Sequence, residues 1–169
     1  WCSSSGNAAC FARRMKSRTK TTVDAIDLLK QDHDKVERAF KQFEKMDRHD
    51  ADACRRLIRW VCEDLKVHTG REEEVFYPAL GQAIDDQDLL NEAAVEHETA
   101  KMLIEQLDSM AADDPSYYAT FTVLGEYVRH HVKEEQGEMF PEAKKSKLDL
   151  AALGERMRSR KDELAGQTA

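Results

Sequence analysis

The chain has 169 residues, enough for one domain with a buried core, and its formal charge of −7 makes most of the surface repel a polyanion. We therefore expect no nucleic-acid partner. Seven glycines and three prolines are too few for the many turns of an all-β fold, and no apolar run is long enough to cross a membrane. The composition predicts an all-α protein that does not enter a membrane.

The N-terminal residues 1–22 differ from the rest of the chain. They contain no acidic residue, and basic side chains recur from Arg13 to Lys20. No apolar stretch of the secretory type is present, and helical periodicity starts only near Val23. We predict a disordered basic N-terminal segment over residues 1–22, with Met15 as a candidate natural start.

Four amphipathic helices are predicted over residues 23–146, because apolar side chains recur there at alternating steps of three and four. The four apolar seams run from Ile26 to Phe43, from Leu57 to Ala79, from Leu90 to Ala111 and from Tyr117 to Val128. Turn signals separate them, and the last turn predicts Asp114 as a helix N-cap and Pro115 as the first helical residue. Short connections predict an up-down-up-down antiparallel four-helix bundle.

The C-terminal segment 147–169 is predicted to hold a short fifth helix, from about Asp149 to Leu164, that packs on the end of the bundle. Ser146 and Asp149 have the spacing of a capping box at its start. Cys54 and Cys62 lie eight residues apart on a predicted helix, and we expect them to be small buried thiols. Thiols of this kind are typical of a reducing compartment, so the expected location is cytoplasmic.

A histidine interrupts each of the four seams where the pattern calls for an apolar side chain: His33, His68, His97 and His131. Counting residues from each turn, at about 1.5 Å per residue, places all four within about one helical turn of each other along the bundle. Glu72 and Glu135 each follow a histidine by four residues and therefore share its helix face.

These six side chains predict a metal site. A single histidine on an apolar seam is usually a hydrogen-bonded core residue, but four at one height beside two buried carboxylates are costly unless a cation binds them. Six nitrogen and oxygen ligands in a bundle core fit two first-row ions better than one tetrahedral zinc. We predict two non-haem iron ions, with manganese or zinc as alternatives. Metal removal is expected to cost most stability at mildly acidic pH, where protons compete for the ligands.

The neighbouring polar and aromatic residues are expected to lie off this site. His130 points about 100° away from His131 around the helix, toward the surface or a supporting position. Four acidic residues are expected to be solvated, although one of them could support a ligand through a hydrogen bond: Glu73, Glu74, Glu134 and Glu138. Five large side chains at helical spacing are expected to be core residues rather than cofactor contacts: Trp60, Phe76, Tyr77, Met139 and Phe140.

The residues around the histidines resemble the hemerythrin-like family, also called the HHE cation-binding domain. The resemblance covers about residues 24 to 145 and is carried by Asp32-His33-Asp34, by Glu96-His97-Glu98, and by the blocks HTGREEEVFYP (His68 to Pro78) and HVKEEQGEMFP (His131 to Pro141). It implies a four-helix bundle around a carboxylate-bridged, oxo- or hydroxo-bridged di-iron site. In that picture the four histidines are terminal ligands, and Glu72 and Glu135 are bridges.

The chain departs from the oxygen-carrying members of that family at two points. Neither Ala93 nor Lys101, four residues on either side of His97, is a second histidine, and Gln136 stands where those proteins have an aspartate. One fewer protein ligand leaves a coordination position for oxygen, nitric oxide or peroxide. The expected function is therefore to bind or sense such a small ligand, or iron itself. The alternatives are an enzyme acting on peroxide or nitric oxide, and a structural bundle stapled by metal.

Overall fold

The computed structural model describes residues 23–111 and 113–167, so the predicted segment 1–22 lies outside the described residues. The helices are α1 (Ala25–Lys45), α2 (Ala51–Arg71), α3 (Tyr77–Gly81), α4 (Gln87–Ser109), α5 (Tyr117–Glu134), α6 (Phe140–Lys145) and α7 (Leu150–Gln167). Two π-helical turns, Glu72–Phe76 and Glu135–Met139, join α2 to α3 and α5 to α6.

The helices form the predicted up-down-up-down antiparallel four-helix bundle, with α7 as the short fifth helix. The four bundle helices are α1, then α2 with α3, then α4, then α5 with α6. In the part of the chain that the structure describes, no helix is both long enough and apolar enough to span a membrane.

Aspartates begin three of the helices. Asp24, Asp50 and Asp149 each accept a hydrogen bond from the backbone N–H three residues further on, at 2.9 to 3.0 Å. Each bond satisfies one of the N–H groups that a helix start leaves without a partner. Asp149 is thus the cap of α7, a role that the predicted capping box gives to Ser146.

Two of the predicted helix starts are wrong. The Asp114 carboxylate accepts a hydrogen bond from the Ser116 N–H at 2.7 Å, which closes a turn before α5, so the N-cap is Ser116 and Pro115 precedes the helix. Ser146 ends α6 instead of beginning α7. Its hydroxyl donates to the carbonyl of Ala143 at 2.7 Å, a bond back toward the preceding helix.

The apolar core consists of two clusters, one on each side of the histidine layer along every bundle helix. In the first cluster the rings of Phe43 and Phe121 meet edge to face, with centroids 4.7 Å apart. In the second, the rings of Phe76 and Phe140 meet in the same way at 6.0 Å, and Met157 of α7 packs with them. The polar layer is therefore closed off by packed apolar side chains above and below.

Helix α7 packs along the sides of α1 and α2, rather than on the end of the bundle as expected. At Gly154 its backbone crosses the start of α1 so closely that a Cβ atom would lie 2.9 Å from the backbone nitrogen of Ala25. Further along, Lys161 donates to Asp32 at 2.9 Å, and Arg160 donates to Glu74 at 2.5 Å. Apolar packing and ion pairs thus hold α7 against the part of the bundle that carries the histidines.

Cys54 and Cys62 are unpaired and buried, as the sequence predicts. Burial raises the pKa of the Cys62 thiol to about 12, because the thiolate would lose its hydration. Both side chains therefore behave as small apolar groups of the first cluster. Cys2 and Cys10 lie outside the described residues.

Candidate metal centre

The structure brings the six predicted site residues together in one buried layer, in which each is at most 7% exposed: His33, His68, Glu72, His97, His131 and Glu135. The four histidines form two pairs. The Nε2 atoms of His33 and His68 are 3.1 Å apart, and those of His97 and His131 are also 3.1 Å apart. Every bundle helix contributes one imidazole, so the layer joins all four.

Each glutamate reaches both histidine pairs. Glu72 Oε2 lies 3.2 Å from the Nε2 atom of His68 and 3.3 Å from that of His97. Glu135 Oε2 lies 3.3 Å from the Nε2 atom of His33 and 3.6 Å from that of His131. In each glutamate, one carboxylate oxygen therefore contacts the histidine four residues before it and also a histidine of the other pair.

The carboxylates have buried oxygen atoms that accept no hydrogen bond. Glu72 is 0% exposed, and neither of its oxygens has a hydrogen-bond partner among the described residues. Oε2 of Glu135 is also buried and lacks a hydrogen-bond partner there. A buried carboxylate is costly unless it is hydrogen-bonded, paired with a charge or bound to a cation. Four imidazole nitrogens around two anionic groups are a donor set that fits divalent metal ions.

In the absence of metal, protons balance the charge of these carboxylates. Burial alone would raise the pKa of Glu72, but the positive charges of the adjacent His68 and His97 rings hold it well below its usual range. Burial alone would lower the pKa of His68, but the nearby carboxylates of Glu72, Asp32 and Glu135 raise it to about 10. A metal ion and these protons therefore compete for the same nitrogen atoms.

The π-helical turns begin at the two glutamates and were not predicted. In each turn a backbone N–H donates to the glutamate carbonyl five residues earlier, and a proline, Pro78 or Pro141, follows one residue later. A proline inside a helix lacks an N–H donor and clashes with the carbonyl four residues before it, and the wider turn relieves that clash. The proline ten residues after His68 and after His131 is the sequence signal for these turns.

The wider turns also bring two aromatic residues onto the site. The Tyr77 hydroxyl donates to Glu135 Oε1 at 3.0 Å and lies 3.2 Å from the Nε2 atom of His97. The Phe140 ring stacks on His33, with centroids 5.9 Å apart and planes 3° apart. Both residues are buried, as expected, but the prediction that Tyr77 stays away from the site is wrong. Burial and the nearby carboxylates raise the pKa of Tyr77 well above its usual value, which keeps the hydroxyl protonated.

The outer ring nitrogens of the histidines meet polar side chains, which fixes the imidazole orientation. The Nδ1 contacts are His97 with Glu73 at 2.9 Å, His131 with Glu96 at 2.7 Å, His33 with Gln136 at 3.1 Å and His68 with Asp32 at 3.7 Å. At His97 and His131 a protonated Nδ1 donates to a carboxylate, which leaves Nε2 free to bind a cation in the interior. Of the four acidic residues expected to be solvated, Glu73 is the one that contacts a site histidine.

Asp32 is itself held by two cations. The guanidinium of Arg71, which is 1% exposed, donates to Asp32 Oδ2, and Lys161 of α7 donates to Oδ1 at 2.9 Å. Burial would raise the pKa of Asp32, but the nearby His68 ring, the charge of Arg71 and the hydrogen bond from Lys161 hold it well below its usual value. Helix α7 thus contributes to the support of a site histidine.

A small cavity of about 30 Å³ adjoins the four imidazoles. Its aliphatic lining comes from Val36, Leu65, Ala100, Val128 and Val132, with Tyr127 beside them. The volume is close to that of one water molecule in the liquid, so the cavity admits only a very small ligand.

The comparisons with known proteins agree with this arrangement. A model of the hemerythrin HHE cation-binding domain matches residues 24–143, which is most of the chain. The chain therefore belongs to the hemerythrin HHE cation-binding domain family.

Two known proteins are similar to this chain. A hemerythrin HHE cation-binding domain-containing protein from Mycobacterium kansasii has the same fold, with a TM-score of 0.74, 22% identity, and coverage of 86% of this chain and 89% of that one. A DNA nickase from Nostoc sp. strain PCC 7120 is 26% identical over 121 residues, which are 72% of this chain. The chain spans 34% of that curated relative, about a third of its length.

Proposed function

We propose that the buried cluster holds two iron ions. His33 and His68 would bind one ion, His97 and His131 the other, and Glu72 and Glu135 would bridge them. The observation that carries this proposal is the set of buried carboxylate oxygens without hydrogen-bond partners, each glutamate lying 3.2 to 3.6 Å from imidazoles of both pairs.

Two ions fit this donor set better than a single zinc ion, because the cluster offers two groups of ligands that have Glu72 in common. Manganese and zinc remain alternatives, since imidazole and carboxylate ligands discriminate weakly among first-row ions. The metal identity is therefore part of the test.

We propose further that the site binds a small molecule such as oxygen, nitric oxide or peroxide. Each ion would receive two imidazoles and two shared carboxylates, which leaves positions open on an ion that prefers a larger set. Lys101 and Gln136 supply no further ligand: Lys101 donates to Glu73 at 2.8 Å, and the Gln136 amide contacts the outer nitrogen of His33. The cavity of about 30 Å³ beside the imidazoles has room for a diatomic ligand.

Iron bound here would supply Lewis-acid and redox chemistry. The chain's own residues define the surroundings of the reaction. The aliphatic side chains line the cavity, and the protonated Tyr77 hydroxyl, 3.0 Å from Glu135, is a neutral hydrogen-bond donor at the site. Gln136 and the carboxylates on the outer nitrogens hold the imidazoles in place.

An enzyme acting on peroxide or nitric oxide is the second candidate. The position of Tyr77 favours it, since its buried hydroxyl lies at the site and can donate a hydrogen bond to an oxygen species bound there. The nickase activity named for the Nostoc relative is not proposed for this chain, because the shared segment is only about a third of that protein. Turnover of peroxide by iron-loaded protein, compared with the Tyr77→Phe variant, separates an enzyme from a binding protein.

The small-ligand proposal is tested by filling the cavity without touching a ligand. Val128→Phe places a ring in the cavity lining, whereas Val123→Phe changes an exposed valine on the same helix and is the control. Both variants should retain iron like the unaltered protein. We expect nitric oxide or oxygen to change the absorption spectrum of the iron-loaded control but to bind much more weakly to Val128→Phe. Equal binding by both variants, or no spectral change in the unaltered protein, would contradict the proposal.

A further inference from the structure

A second cluster of metal-binding side chains lies at the surface, directly outside the buried centre. It consists of Glu96 from α4 and of His130 and Glu134 from α5. The Nε2 atom of His130 lies 3.4 Å from an oxygen of Glu96 and 3.1 Å from an oxygen of Glu134. The His130 side chain is 60% exposed, whereas that of Glu96 is only 18% exposed.

The sequence explains why these three side chains meet. Glu96, His130 and Glu134 each stand one residue before a member of the buried cluster. Neighbouring residues on a helix point about 100° apart, so each of these side chains lies on the solvent side of its buried neighbour. The packing of α4 on α5 that brings the three buried neighbours together therefore also brings these three together. His130 and Glu134 repeat the four-residue spacing of the buried histidine and glutamate on the same helix. The outer cluster thus repeats the placement of three inner donors on the solvent side, with the Glu96 carboxylate next to the imidazole of His97.

The outer donor atoms suit a transition-metal ion. One imidazole nitrogen and two carboxylate oxygens lie within 4.8 Å of one another, which allows a single ion to contact all three. They line a surface groove of about 480 Å³ together with Asn91 and Glu92, and water can complete the coordination there. A mixed set of imidazole and carboxylate favours first-row divalent ions over magnesium or calcium, which prefer oxygen ligands alone.

We propose that Glu96, His130 and Glu134 bind one divalent first-row transition-metal ion. Glu96 also connects the two clusters: its Oε1 atom faces His130, while its Oε2 atom accepts a hydrogen bond from Nδ1 of His131 at 2.7 Å. An ion in the outer cluster would therefore lie one carboxylate away from the buried centre. The outer site is defined by its own residues and does not require iron in the inner one.

Zinc counted by equilibrium dialysis tests the proposal, with His130→Ala as the main variant. His49→Ala is the matched control, because His49 is also exposed but lies in the turn before α2. The unaltered protein and the control should each bind one zinc ion more than His130→Ala. The difference between variants is the measured quantity, so the result does not depend on how many ions the buried cluster holds.

Glu134→Gln provides a second variant of nearly unchanged shape. Loss of a residue that merely supports a metal ligand lowers affinity by about 10- to 100-fold, so loss of a ligand should weaken the outer zinc ion by at least about tenfold. In the unaltered protein, zinc should also shift the NMR signals of the His130 ring and leave those of His49 in place. Equal zinc counts and affinities in all four proteins, with no shift at His130, would overturn the proposal and show that the outer cluster is an ion pair only.

Discussion

The stability of the metal-free protein should fall as the pH rises from 7 to 9. The pKa of His68 is about 10 in the folded state, against about 6.5 for an unperturbed histidine. A raised folded-state pKa means that the folded protein binds the extra proton. Its stabilising effect is complete below about pH 6.5 and is lost as the pH rises through about 10.

The size of this effect follows from the linkage between protons and folding. Each pH unit between the two pKa values costs about 1.4 kcal/mol for one proton, so His68 alone accounts for about 3 kcal/mol between pH 7 and 9. The pKa of His131 is also raised, by its hydrogen bond to Glu96 and by the nearby carboxylates against the effect of burial, and it acts in the same direction. A bound metal occupies the nitrogen atoms that would take up these protons.

The stabilisation by metal should therefore grow with pH. This prediction is the opposite of the expectation from the sequence, which is that metal removal costs most stability at mildly acidic pH. The reversal arises because buried imidazoles next to Glu72 and Glu135 hold protons tightly and replace part of the missing positive charge. The sequence shows that these groups are close but not how strongly their charges interact.

Urea unfolding between pH 6 and 9 measures the effect, with chelator-treated and zinc-loaded protein in parallel. The free energy of unfolding of the metal-free protein should decline, while that of the zinc-loaded protein should change less. Metal-free His68→Gln, which has no proton to gain at this position, should show a flatter profile. A metal-free protein whose stability is constant or increases from pH 7 to 9 would refute the reasoning.

Three further predictions concern single residues. His131→Ala should abolish the optical absorption of iron in the buried cluster, whereas His130→Ala should leave it intact. Equal losses would contradict the assignment of His131, and not His130, to the buried cluster. Gly154→Ala should lower the free energy of unfolding by about 1 to 3 kcal/mol, because the new Cβ atom meets the backbone at the start of α1. In the control Gly166→Ala the new Cβ atom meets nothing within 4 Å, so this variant should not be destabilised. Urea unfolding curves of the two variants test the difference. Tyr77→Phe should destabilise the metal-free protein by about 1 to 3 kcal/mol, because a buried carboxylate loses its donor, and should cost less once metal binds that carboxylate. Equal costs with and without metal would contradict the contact.

Much of the fold could be predicted from the sequence, because the helical seams are regular and the histidines interrupt them at one height. The structure places His33, His68, His97 and His131 together as that reasoning requires. Helix positions are determined by local spacing, so facing side chains on neighbouring helices could be inferred without coordinates.

The remaining features depend on contacts that the spacing does not specify. Tyr77 reaches the site only because a π-helical turn changes the phase of the helix after Glu72. The path of α7 along α1 depends on the close approach at Gly154, which a seam analysis does not show. Asp114 closes a turn rather than capping α5, because its carboxylate reaches the N–H of Ser116, two residues on. Capping signals identify the turn but not which residue begins the helix.

The iron content of the His130→Ala protein, loaded anaerobically with ferrous iron and freed of excess metal, tests the central claim most directly. This variant lacks the outer histidine, so the iron counted is that of the buried cluster. The proposed centre predicts two iron ions per chain, and replacing Glu72 by glutamine in the same background should lower that number. An iron content of one or less per chain, or an unchanged content after Glu72→Gln, would contradict a dinuclear site bridged by the two buried glutamates.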